Sequence, residues 1–144
     1  MKIAVGADHA GYHAKDRLAA LIRSLGHTVL DVGTASDDAV DYPDFAGNVG
    51  RKVGSGEADR GLLVCGSGIG MSIAANKIPG VRAALCCGET AARLSRQHND
   101  ANVLCAGARI TGHSVLEAMV RVFLETDFEG GRHRHRVDKM NDLE

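Results

Sequence analysis

Tryptophan is absent from this chain, and tyrosine and phenylalanine together bring the aromatic share to only 3%. Surfaces that bind single-stranded nucleic acid stack bases on aromatic rings, so this composition argues against that class. An excess of charge is missing too: 17 Lys and Arg against 18 Asp and Glu give a formal charge of −1. General electrostatics therefore offer no attraction to nucleic acid or to an anionic membrane. No apolar run approaches the ~20 residues that span a bilayer. The opening "MKIAVGADHAG" turns polar too soon for a signal-peptide core. The four cysteines (Cys65, Cys86, Cys87 and Cys105) lack any CxxC spacing. That argues against a disulfide framework or a zinc site and for reduced thiols in a cytoplasmic protein. No repeat, low-complexity segment or linker divides residues 1–144, which read as one domain.

What is present is an alternation of short aliphatic runs with longer helical patterns. Strands are expected at 2–7, 27–33, 60–65, 81–87 and 102–107. Helices are expected at 12–26, 42–57, 69–77, 89–99 and 114–127. In the first of these Leu18, Leu21, Ile22 and Leu25 share a face, and Gly26 supplies the stop. Five strands separated by helices imply an α/β fold, a Rossmann-like three-layer sandwich with helices on both faces of a parallel sheet. Ligands in such sheets sit beyond the C-terminal strand ends. The loops after strands one, three and four are therefore the places to look.

The third strand runs into "CGSGIG", residues 65–70, which opens a helix. Gly66, Gly68 and Gly70 give G-x-G-x-G rather than the dinucleotide fingerprint G-x-G-x-x-G, and no GK[ST] follows. Both nucleotide readings fail. Glycines alone suit a tight turn as well as they suit an anion-binding helix N-terminus. Cys65 favours chemistry, because a thiol at a helix N-terminus can titrate below its usual ~8.5. Such a thiolate serves as a covalent nucleophile, or as a base whose enolate product is held by loop amides. Ser67 adds a hydroxyl at the same place. Cys86, Cys87 and Cys105 lie within expected strands and read as small buried hydrophobes.

The histidines and arginines carry two readings each. Asp8, in "DHAG" (8–11), suits a helix cap, and His9 suits either the surface or an anion contact. His98, in "RQHND" (96–100), complements a helix C-terminus or enters a site. "GGRHRHR" (130–136) reads as a solvated basic segment or as an arginine clamp, with Arg132 and Arg136 on one face if helical. His133 and His135 are expected to face solvent. A metal site built from them lacks a carboxylate or cysteine at sensible spacing, so no metal is expected.

Taken together, "GADHAG", "DYPDFA", "CGSGIGMSIAANK", "LSRQHNDANVL" and "EGGRHRHRV" resemble the type B ribose-5-phosphate isomerases, in the family that includes galactose-6-phosphate isomerase. The resemblance runs from residue 3 to about residue 137. It implies a cofactor-free aldose–ketose isomerase acting on ribose 5-phosphate and ribulose 5-phosphate through a cis-enediolate. It implies Cys65 as the base, with Ser67 shuttling the hydroxyl proton and His98 opening the furanose ring. The amides of Gly66, Ser67, Gly68, Ile69 and Gly70 would hold the oxyanion. Asp8, Tyr42 and Asn99 would orient sugar hydroxyls. His9, Arg132 and Arg136 would hold the phosphate, with Arg109 arriving from a second subunit of a homodimer or a tetramer.

One branch of the family uses a glutamate just after the glycine loop. Met71 stands there in this chain and cannot ionise, which leaves Cys65. Ser67 keeps the hydroxyl of the threonine found in many relatives. The competing readings are the same chemistry on allose 6-phosphate, galactose 6-phosphate or a tetrulose phosphate, a non-catalytic phosphosugar-binding module, and a thiol redox protein. Joint retention of Cys65, Ser67 and His98 disfavours the binding module. The lack of a nearby resolving cysteine disfavours the redox protein.

Overall fold

The computed structural model describes residues 1–144. The strands are β1 (Lys2–Ala7), β2 (Thr28–Asp31), β3 (Arg60–Cys65), β4 (Ala83–Leu85) and β5 (Val103–Gly107). The helices are α1 (Tyr12–Ser24), α2 (Tyr42–Gly54), α3 (Ile69–Ala75), α4 (Glu89–Asn99), α5 (His113–Glu125) and α6 (Arg132–Asn141). All pairings are parallel, and the sheet runs β2-β1-β3-β5-β4. The expected α/β sandwich is present.

Side chains alternate across the central strands and divide the core in two. Ile3, Val5, Leu62, Val64, Leu104 and Ala106 face α1, α4 and α5, where Leu18, Ala92 and Met119 meet them. Ala4, Leu63, Cys65, Val103 and Cys105 face α2 and α3, where Val49 and Met71 close the layer. Because β3 and β5 are covered on both sides, every residue in them is buried.

Two expectations change. β5 inserts between β3 and β4, so the loop after β5, not the one after β4, adjoins the glycine loop. β4 is also shorter than expected, because this edge strand pairs only through Ala83–Leu85. Cys86 and Cys87 fall beyond it, and Cys87 is exposed.

Beyond α5 the chain forms one more helix, α6, which turns His133 and Val137 inward at i, i+4 spacing. The buried Arg60 side chain donates to the carbonyls of Phe123, Leu124 and Thr126 at the end of α5. Burial, with Arg96 nearby, pushes its pKa down to about 10.

Candidate active site

The strand order reverses between β1 and β3, and a crevice opens beyond their C-terminal ends, as doubly wound sheets generally provide. A cavity of about 450 Å³ lies there, lined by Asp8, His9, Tyr42, Cys65, Gly66, Ser67, Gly70 and Arg109, with Ala10 and Ile110. A larger hollow of about 640 Å³ lies between the α3–β4 connection and the C-terminal helix, and it contains Asn99 but no part of the glycine loop. The smaller cavity gathers the reactive groups and is the candidate site.

Its geometry starts from the glycine loop. The Gly68 N–H donates to Cys65 Sγ at 3.0 Å, and the Ile69 N–H to Ser67 Oγ at 3.3 Å. Those two amides, expected to face an oxyanion, are thus engaged within the loop. The N–H groups of Gly66, Ser67 and Gly70 have no partner inside the chain, so the open donors are these. Gly70 permits a close approach: a Cβ there would lie 2.6 Å from the Tyr42 ring. Tyr42 enters from the first residue of α2, where Pro43 starts the helix.

The β1 end supplies two further groups. Asp8 is buried, and its Oδ1 accepts from the Ala10 and Gly11 N–H groups at 3.0 and 3.1 Å, so it braces the turn rather than capping α1. The Val40 N–H donates to His9 Nδ1 at 3.3 Å, which assigns the proton of the neutral ring to Nε2. Burial pushes the Cys86 thiol up to about 11. It pushes the Cys105 thiol up further, with the Cys65 sulfur nearby adding to the shift.

Arg109, implied from a second subunit, lines the Cys65 cavity within one chain. Its N–H donates to Gly66 O at 3.0 Å while the Ala108 N–H donates to Cys65 O at 2.8 Å. The insertion of β5 beside β3 brings the two loops together.

His98, Asn99, Arg132 and Arg136 do not line this cavity. They belong to the end of α4 and the start of α6. His133 is buried, against the expectation of solvent exposure, and its ring stacks on that of His98 with centroids 4.3 Å apart. Burial, followed by the neighbouring His98 and Arg132, lowers its pKa. Glu129, four residues before His133, supplies the carboxylate that sequence reading did not pair with it. The missed signal was Val137, which marks the buried face of α6 one turn beyond His133. No helix is long and apolar enough to cross a membrane.

The model of the Ribose/Galactose Isomerase family matches residues 3–140. The chain is 45% identical over 143 residues to ribose-5-phosphate isomerase B of Escherichia coli, covering 99% of this chain and 96% of that one. Among solved structures it is similar to the Clostridium thermocellum ribose-5-phosphate isomerase B, with a TM-score of 0.98, 48% identity and coverage of 99% and 97%. It is similar also to the Mycoplasma genitalium ribose-5-phosphate isomerase B solved with bound ribulose-5-phosphate, with a TM-score of 0.95, 41% identity and coverage of 99% and 95%.

Proposed function

The chain belongs to the Ribose/Galactose Isomerase family, which makes it an aldose–ketose isomerase of phosphosugars, and we propose that it interconverts D-ribose 5-phosphate and D-ribulose 5-phosphate. The observation that carries this reading is the Cys65 sulfur, held by the Gly68 amide at the wall of a cavity that also contains Asp8, His9, Ser67 and Arg109.

In the proposed reaction Cys65 takes the proton from C2 of the open-chain aldose. The negative charge that develops on the carbonyl oxygen meets the free amides of Gly66, Ser67 and Gly70. Ser67 passes a proton between the hydroxyl oxygens, and Cys65 returns its proton to C1 of the cis-enediolate. Met71 is buried in the core and has no acid–base chemistry, which supports Cys65 as the base. Asp8 and Tyr42 orient hydroxyls, while His9 and Arg109 bind at the anionic end.

The other half of the machinery is proposed to come from a second copy of the chain. His98 would open the furanose ring, Asn99 would contact a hydroxyl, and Arg132 and Arg136 would complete the phosphate clamp. Their absence from the Cys65 cavity supports a site shared across a homodimer. Arg109 then acts on the Cys65 side of the boundary. The four free cysteines suit a reducing cytosol.

Purified protein should be assayed on a panel of pentose, hexose and tetrose phosphates. Ribose 5-phosphate is expected to give the highest kcat/KM. A higher value for a hexose or tetrose phosphate would reassign the substrate, and binding without interconversion would leave a non-catalytic module.

A further inference from the structure

A second cluster of reactive side chains converges outside the Cys65 cavity. His98 closes the last turn of α4, His133 stands in the first turn of α6, and Glu129 lies between them in sequence. The Glu129 N–H donates to Gln97 O at 3.0 Å, which fastens this segment beside the end of α4. The two imidazole rings are stacked, with only 9° between their planes. Their Nε2 atoms lie 3.6 Å (His133) and 4.0 Å (His98) from Glu129 Oε2, too far for a good hydrogen bond. The carboxylate therefore faces both rings and satisfies neither.

One ligand atom from each residue lies within 4.8 Å of the others. Tetrahedral ligands at the ~2.0–2.1 Å bond lengths of zinc stand about 3.3 Å apart. Each imidazole lone pair lies in its ring plane, so binding requires the two rings to turn out of their stack and converge on the ion beside Glu129. Two neutral imidazoles and one carboxylate form an open three-ligand set that leaves a position for water. Nitrogen donors select this class of metal over magnesium or calcium, which prefer all-oxygen shells. Within one chain the His133 side chain is 8% exposed, and those of His98 and Glu129 are 38% and 49% exposed.

We propose that His98, Glu129 and His133 form a site for a divalent transition metal of the zinc class, which takes His98 out of acid–base service. Metal bound through Nε2 occupies the lone pair that His98 would need to accept a proton, so ring opening of the aldose stops. The inhibitory consequence rests on the isomerase reading above, whereas the binding does not.

The test begins with Cys65→Ala protein stripped by EDTA, because the Cys65 thiol is itself a zinc ligand. Isothermal titration with Zn²⁺ is expected to show one equivalent bound per chain. Adding His133→Asn or Glu129→Gln should weaken that binding by more than about tenfold, the scale on which even outer-shell changes act. His113→Asn, which breaks the separate His113–Glu117 pair at 3.0 Å, should leave it unchanged. In the chain with Cys65 intact, Zn²⁺ should suppress ribose 5-phosphate turnover, EDTA should restore it, and Glu129→Gln should resist. Glu129 is half exposed, so Glu129→Gln carries the test if His133→Asn misfolds. Absence of a stoichiometric site in Cys65→Ala, or binding untouched by both ligand variants, would overturn the proposal. Binding lost in those variants, together with no turnover by the chain with Cys65 intact, would leave the site standing and sink the isomerase reading instead.

Discussion

The Gly68 backbone N–H donates to Cys65 Sγ at 3.0 Å, a bond that joins the last residue of β3 to the entry of α3. Gly68 holds this position at φ +79°, where a side chain is strained. A Cβ there would also lie 2.6 Å from Leu85 Cδ1 and 2.8 Å from the Ala106 carbonyl carbon.

Gly68→Ala must therefore move the loop that aims the sulfur. The backbone strain costs about 1–2 kcal/mol, and the melting temperature should fall accordingly. We expect kcat to drop by more than about tenfold while phosphosugar affinity changes less, because the interaction serves the reacting atoms. Unchanged kcat in a folded variant would show that this bond does not position the base.

Thiol labelling separates the four cysteines. Burial holds Cys86 as a thiol up to about pH 11 and Cys105 higher still, whereas Cys87 is exposed and Cys65 lines the cavity. Iodoacetamide at neutral pH should alkylate Cys65 and Cys87, read by peptide mass spectrometry, and bound substrate should protect Cys65 alone. Inactivation should track Cys65, and Cys65→Ala should lower turnover by about 10²–10⁴-fold. Labelling of Cys86 as fast as Cys65 in folded protein would contradict this account.

Arg60 carries a stability prediction away from the site. Removing its side chain strips hydrogen-bond donors from the last carbonyls of α5. Arg60→Ala should destabilise the fold by about 1–3 kcal/mol in urea titration, with kcat per folded molecule unchanged. Full stability in Arg60→Ala would mean that other groups or water satisfy those carbonyls.

These sites were unequally legible in the sequence. The alternation of strands and helices and the Cys-Gly-Ser-Gly junction are local patterns, so the fold class and the position of Cys65 could be read directly. The order β3-β5-β4 is a tertiary choice that no local pattern encodes. The family resemblance implies Arg109 from a second subunit, whereas the insertion of β5 beside β3 sets its loop against Gly66 of its own chain. "GGRHRHR" looks solvated throughout because its polarity hides a helical period. Only the register of α6, fixed by Val137, turns His133 inward towards His98 and Glu129.

The division of residues between two places on one chain makes a sharp complementation experiment. Cys65, Ser67 and Arg109 share the cavity, while His98, Arg132 and Arg136 lie outside it. Arg136→Ala alone should mainly raise KM, by roughly 1.5–3 kcal/mol if its phosphate contact is charge-assisted. In a two-fold dimer each site would combine the Cys65 side of one chain with the Arg136 side of the other. Mixing Cys65→Ala with a His98→Asn, Arg136→Ala double variant then gives hybrids with one site free of lesions. Random pairing restores about a quarter of the wild-type sites in such a dimer. Mixing Cys65→Ala with Arg109→Ala should restore nothing, because each site of the hybrid keeps one lesion on its Cys65 side. Native mass spectrometry must first show that subunits exchange. Recovery in the second mixture but not the first would place Arg109 across the interface and overturn this arrangement.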